Sequence, residues 1–221
     1  MAIEEYKTYS SASAVPVNKV IRSTFMLLGM TLAFSALTAF ISAAMGMGRM
    51  NIFVFLIGAY GLMFLTHKTQ NSVWGLVSAF AFTGFMGFTI GPVVSMYLSL
   101  PNGGQVVTTA LASTAVIFLA LSGYALTSKK DFSFLSGFLF AGFLILVGAM
   151  IAGFFFQIPG LSLAISAGFA LFASAAILFE TSQLVHGGER NYIMATIGLY
   201  VSIYNLFMSL LHLIGALSGD D

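Results

Sequence analysis

Leu161–Val185 reads LSLAISAGFALFASAAILFETSQLV, and its one charged residue, Glu180, decides how the chain is understood. Everything from Leu161 to Phe179 is apolar or small. A run of this length crosses a hydrocarbon core roughly 30 Å thick as a helix. A carboxylate inside such a helix costs roughly 2.5–3.5 kcal/mol at mid-bilayer on insertion scales. A chain that keeps one there uses it, either in a site or near a helix end.

The rest of the chain has the same character. It is 59% hydrophobic and 7% charged, with a mean hydropathy of +1.00. A soluble domain carries about 25% charged residues, so the composition is that of an integral membrane protein. Apolar runs predict seven spans, over about 23–45, 47–66, 74–99, 105–127, 132–156, 160–185 and 192–217. They are continuous rather than alternating, which excludes a β-barrel. The expected fold is an all-α bundle of seven transmembrane helices.

The connections are short, so residues 19–221 form one transmembrane domain. Residues 1–18, rich in Ser, Thr and Ala with Pro16, read as a flexible cytoplasmic tail. The first run follows Lys19 and Arg22 as a signal-peptide core would. It is longer than the usual 7–15 or so residues, and further spans follow it, so it is expected to stay as a helix. The chain has no cysteine, which excludes disulfides and thiol chemistry, and its net charge of +1 implies no nucleic-acid role.

Lys and Arg set the expected orientation. With the N-terminus cytoplasmic, that side carries Lys7, Lys19, Arg22, Lys68, Lys129, Lys130 and Arg190, while Arg49 stands alone opposite. The tail there ends in Asp220-Asp221. The chain is expected to run N-in, C-out.

Small residues mark close helix packing. Gly84, Gly87, Gly91 and Ser95 share one face of the third span, and Gly91-Pro92 adds an expected break at the Phe88 carbonyl. Two readings of that break stand, a packing kink and a moving hinge. Gly137, Ala141, Gly142, Gly148 and Gly153 of the fifth span read as packing alone.

On the seventh span, Gly198, Ser202, Asn205, Ser209 and His212 recur every three or four residues as one polar stripe. It serves either as hydrogen-bonding glue between helices or as the lining of a polar path. Glu180 belongs with it. The sixth helix is expected to stop at Gly187-Gly188. That puts Glu180 roughly 8 Å inside the cytoplasmic helix end. A structural ion pair with Arg190 or Lys68 and a proton- or ion-responsive role are both open.

Catalytic arrangements fail on geometry. Ser122-Gly123 and His212 lie on different spans with nothing to join nucleophile and base. Paired acids fail too, since Glu180 is alone in the membrane. His67, His186 and His212 lack HExxH spacing, and the first two are placed in cytoplasmic connections, so zinc is not expected. Calcium wants several carboxylates. No catalytic residue, metal or cofactor is expected.

Two stretches resemble the Bax inhibitor-1 family, in its bacterial YccA-like branch. The first holds Gly75-Leu76-Val77-Ser78, Gly87, Ile90-Gly91-Pro92, Ala110 and Thr114-Ala115-Val116-Ile117-Phe118. It departs from the pattern at Val94, where leucine is usual. The second holds Phe179-Glu180-Thr181-Ser182-Gln183-Leu184 and Leu199-Tyr200-Val201-Ser202-Ile203-Tyr204-Asn205-Leu206-Phe207. Leu32-Ala33-Phe34-Ser35 and Tyr60-Gly61-Leu62-Met63-Phe64-Leu65 extend the likeness, which is weakest in the fifth span.

The resemblance implies a central sixth or seventh helix ringed by the others. It also implies one of two roles. Some members are pH-sensitive calcium leaks, in which two aspartates share a proton. The YccA-like branch is tied to the AAA-type membrane protease FtsH, as substrate and modulator, in the bacterial inner membrane. Of the aspartate pair, the first falls on Glu180 and the second on Ser202, which cannot ionise. The shared-proton device cannot operate here in that form. The leading expectation is therefore a non-enzymatic protease modulator in the lipid bilayer. The alternative is a leak for Ca2+ or H+ with Glu180 as its responsive group, and Asn205, Ser209 and His212 as its path.

Overall fold

A computed structural model describes residues 17–128, 130–156 and 158–218. Seven helices follow in order: α1 (Val17–Ala44), α2 (Ile52–Thr69), α3 (Val73–Leu98), α4 (Gly103–Ser128), α5 (Leu135–Phe155), α6 (Leu161–Val185) and α7 (Tyr192–Leu217). Each is long and apolar enough to cross a membrane, and no strand occurs among the described residues. The protein is an all-helical, seven-span membrane protein.

Local chemistry sets the helix ends, and it moves several from where hydropathy placed them. The tail expected over residues 1–18 lies outside the described residues as far as 16, but Val17 and Asn18 already open α1. Lys19 and Arg22 are exposed there while Val20 is buried, so the helix continues beyond the apolar run with an inward face. Lys7, Lys129 and Asp220-Asp221 of the charge pattern also lie outside the described residues.

α2 starts at Ile52 rather than 47, because Gly46 takes a left-handed φ of 62° and Asn51 caps the helix by accepting from Phe53 N at 2.9 Å. At its other end α2 runs through His67 and Lys68, so His67 belongs to a helix and not to a connection. α5 starts at Leu135, after a turn in which Asp131 Oδ1 accepts from Ser133 N at 2.8 Å and Ser133 Oγ at 2.5 Å. Those two bonds hold the Asp131 carboxyl below the usual carboxylate range. α6 ends where expected: Gly187 has φ 72°, which lets Gly188 N return to Gln183 O at 2.8 Å.

α7 is the centre of the bundle. Ile197, Leu199, Leu206 and Leu211 on it are fully buried, and it packs against α1, α3, α4 and α6. Its start is tied to the α2–α3 connection by Asn191, which accepts from Ile193 N and Met194 N and donates Nδ2 to Gln70 O at 3.2 Å. Its far end is held when Asn102 Nδ2 donates to Ser218 O at 2.8 Å.

The glycine stripe of α3 faces α1. A Cβ on Gly84 would strike the Phe34 ring, one on Gly87 the Ser35 carbonyl, and one on Gly91 the Ala39 carbonyl. Backbones approach there as only glycine allows. α3 continues through Pro92 as one helix from Val73 to Leu98. Proline removes a single donor, and neighbouring helices tolerate that inside a membrane bundle.

α5 overturns its expectation further. Among its described side chains only Leu146 is buried, and Gly137, Ala141 and Gly148 are exposed. Of its glycines, a Cβ on Gly142 would meet Phe172 of α6 and one on Gly153 would meet Leu161 and Ile165, while Gly137 and Gly148 face open space. α5 packs mainly on α6 and leaves most of its small residues outward.

Candidate functional site

Glu180 sits five residues before the end of α6 at Val185. Cα–Cβ bonds tilt toward a helix's N-terminus, so its carboxyl is carried back toward the middle of the bundle. There Ser202 Oγ donates to Glu180 Oε2 at 3.0 Å. One turn earlier on α7, a Cβ on Gly198 would lie 2.9 Å from Oε1 and 3.2 Å from the carboxyl carbon. The glycine leaves a notch, and the carboxyl fills it. Ser202 is buried and Glu180 partly so. The expected cationic partners are elsewhere: Arg190 Nε donates to Gly187 O at 3.3 Å, and Lys68 is exposed. Glu180 is thus held by a hydroxyl and not by an ion pair with either cation.

The stripe continues along α7 into a different setting. Asn205, Ser209 and His212 line a cleft of about 870 Å³ that Glu180 and Ser202 do not reach. Its sides are residues of α2 and α3 on one hand and α5 and α6 on the other, with Arg49 at the mouth. His212 Nδ1 lies 2.7 Å from Ser166 Oγ, whose hydroxyl donates to Ser162 O at 3.0 Å. That leaves Nδ1–H as the donor to Ser166. The structure does not bring Ser122 and His212 together: Ser122 accepts from Thr181 Oγ1 at 3.4 Å, in the half of the bundle that holds Glu180.

The rotation of α7 that aims this stripe is fixed by a buried network. Tyr200 OH donates to Thr83 O at 3.1 Å on α3 and accepts from Ser35 on α1, 2.6 Å away. On the flank of α6, Phe132 N donates to Ser182 Oγ at 3.0 Å, which ties the α4–α5 connection to the helix of Glu180. Sequence reading missed Ser166, Tyr200 and the walls of the cleft. Ser162 and Ser166, four apart on an apolar helix, carry the same signal as the stripe on α7; the walls carry none.

The family described as Inhibitor of apoptosis-promoting Bax1 matches residues 17–219. The chain belongs to this family. Within the Bax1-inhibitor family it is 60% identical to an uncharacterized protein of Pseudomonas aeruginosa, over the whole of both chains. It is 50% identical to the Escherichia coli K12 protein named Modulator of FtsH protease YccA, over 96% of this chain and 97% of that one. A Pasteurella multocida relative is 51% identical over 95% of this chain and 94% of its own. The expected place in the bacterial, YccA-like branch of the Bax1-inhibitor family is borne out.

Proposed function

We propose that this chain modulates, and is itself degraded by, an AAA-type membrane protease of the FtsH kind, from within the bacterial inner membrane. The observation that carries the reading is half identity along nearly the full length to a relative named as that protease's modulator. Other features support it. Ser122 and Ser166 are both held in structural hydrogen bonds, which fits a role without covalent chemistry. Arg49 stands alone among Lys and Arg at its end of the bundle, which fits an N-in, C-out orientation. The polar sequence of residues 1–16 ahead of α1 fits the need of such an enzyme for an end to grip.

Deleting residues 1–16 keeps α1 whole and is expected to slow turnover in cells several-fold. Unchanged turnover discards the tail as the grip. Purified protein co-reconstituted with the protease is expected to slow degradation of a second membrane substrate; an unchanged rate overturns the modulator role.

A proton-regulated cation leak is the second reading, favoured by the contact of Glu180 with Ser202 at the head of a polar stripe. Calcium and proton flux into liposomes, from about pH 5 to about pH 8, tests it alongside Glu180→Gln. Flux no greater than in empty liposomes, or untouched by the substitution, removes it.

A further inference from the structure

We propose that the cleft beside α7 binds one transmembrane helix of another membrane protein, and prefers helices with a polar side chain in mid-span. This rests on the modulator reading and names the chemistry of its partner.

The floor of the cleft makes the case. Asn205 is partly exposed there, and among the described residues neither its amide nor the Ser209 hydroxyl has a hydrogen-bond partner. Unpaired polar groups at membrane depth are costly, and acyl chains cannot satisfy them. A helix bearing Asn, Gln or Ser can. The reach from Tyr204 to His212 is about 12 Å, more than two helical turns. That length and the cleft's volume suit one face of a docked helix, the helix-in-groove mode of recognition.

The walls suit a guest of variable sequence. Met50, Met96, Met150 and Met208 line them, and unbranched thioether side chains re-pack around different shapes. α2 and α5, which form the two outer rims, pack mainly on α3 and α6 respectively, so each rim is braced on one side. At the mouth, Arg49 Nη2 rests on Met96 Sδ at 2.8 Å, where its guanidinium can meet an acid at the end of the guest.

The test uses two defined peptides in liposomes, a polyleucine transmembrane helix and the same helix with one central Asn. The chain has no cysteine, so Leu100→Cys gives a single label for energy transfer at an exposed position outside the cleft. The Asn peptide is expected to bind about threefold to tenfold more tightly, one to two interhelical hydrogen bonds' worth. Asn205→Leu with Ser209→Ala is expected to erase that preference. Met150→Trp, at an exposed wall position, is expected to block both peptides and leave folding intact.

Equal binding of the two peptides, or a preference that survives the double substitution, overturns the proposal. So does equal displacement of both peptides by anionic phospholipid, which would make the cleft a lipid site. No protease is in the assay, so its failure is distinct from failure of the modulator reading.

Discussion

The two halves of the α7 stripe each hold a buried serine four residues after another stripe residue, and they face different neighbours. Gly198 and Ser202 meet the Glu180 carboxyl inside packed protein, while Asn205, Ser209 and His212 face a cleft. The difference lies in what α6 presents: Glu180 reaches Gly198 and Ser202, and among the described residues no such side chain reaches Asn205 or Ser209. α1 covers another face of α7, where Thr196 Oγ1 donates to Thr24 O at 3.3 Å and Val20, Leu27 and Leu28 share a core cluster with Ile193 and Leu199. Further along, α1 follows the glycine face of α3, and the cleft is lined without it. A polar stripe in a membrane helix states a demand for partners. The residues of α6 decide where the protein itself meets it: Glu180 for Ser202 and Ser166 for His212, with Asn205 and Ser209 between them left over.

Gly198→Leu should break the engaged half most severely. The added side chain would occupy the carboxyl's notch, push Glu180 from Ser202, and cost about 1–3 kcal/mol in overpacking alone. Unfolding in detergent measures this, and a neutral result would mean that the carboxyl has room elsewhere. Ser202→Ala comes next. It leaves Glu180 without its hydroxyl donor, at a cost of about 1–3 kcal/mol, and Ser202→Thr should restore most of the loss. If Ser209→Ala cost as much as Ser202→Ala, the two halves would not differ in the way described.

Much of this contrast was hidden in the sequence, and the reasons are physical. Hydropathy finds spans because lipid demands continuous apolar surface, and Gly187 marked the end of α6 because φ 72° suits glycine. Glycine spacing was ambiguous. Gly87 and Gly91 press on α1, yet Gly137 and Gly148 have nothing within 4 Å, since spacing reports a face and not what covers it. The nearness of Glu180 to Ser202 was legible through likeness to a family, because α6 and α7 are joined by a turn that sets no register on its own. The cleft was illegible: its walls are ordinary apolar residues from several helices, and Arg49 entered only as a topological charge.

Asn205→Leu should have the smallest effect on stability, and its sign separates the halves best. The amide has no partner among the described residues, so its loss breaks no bond and removes a polar group from membrane depth. Replacing it is expected to change unfolding by no more than about 0.5 kcal/mol, and any change should be stabilising. A loss above about 1 kcal/mol would mean that the amide is bonded in the bilayer, as an ordered water in the cleft would provide. The far half of α7 would then be satisfied as fully as the near half, and the reason for a guest helix would go with it.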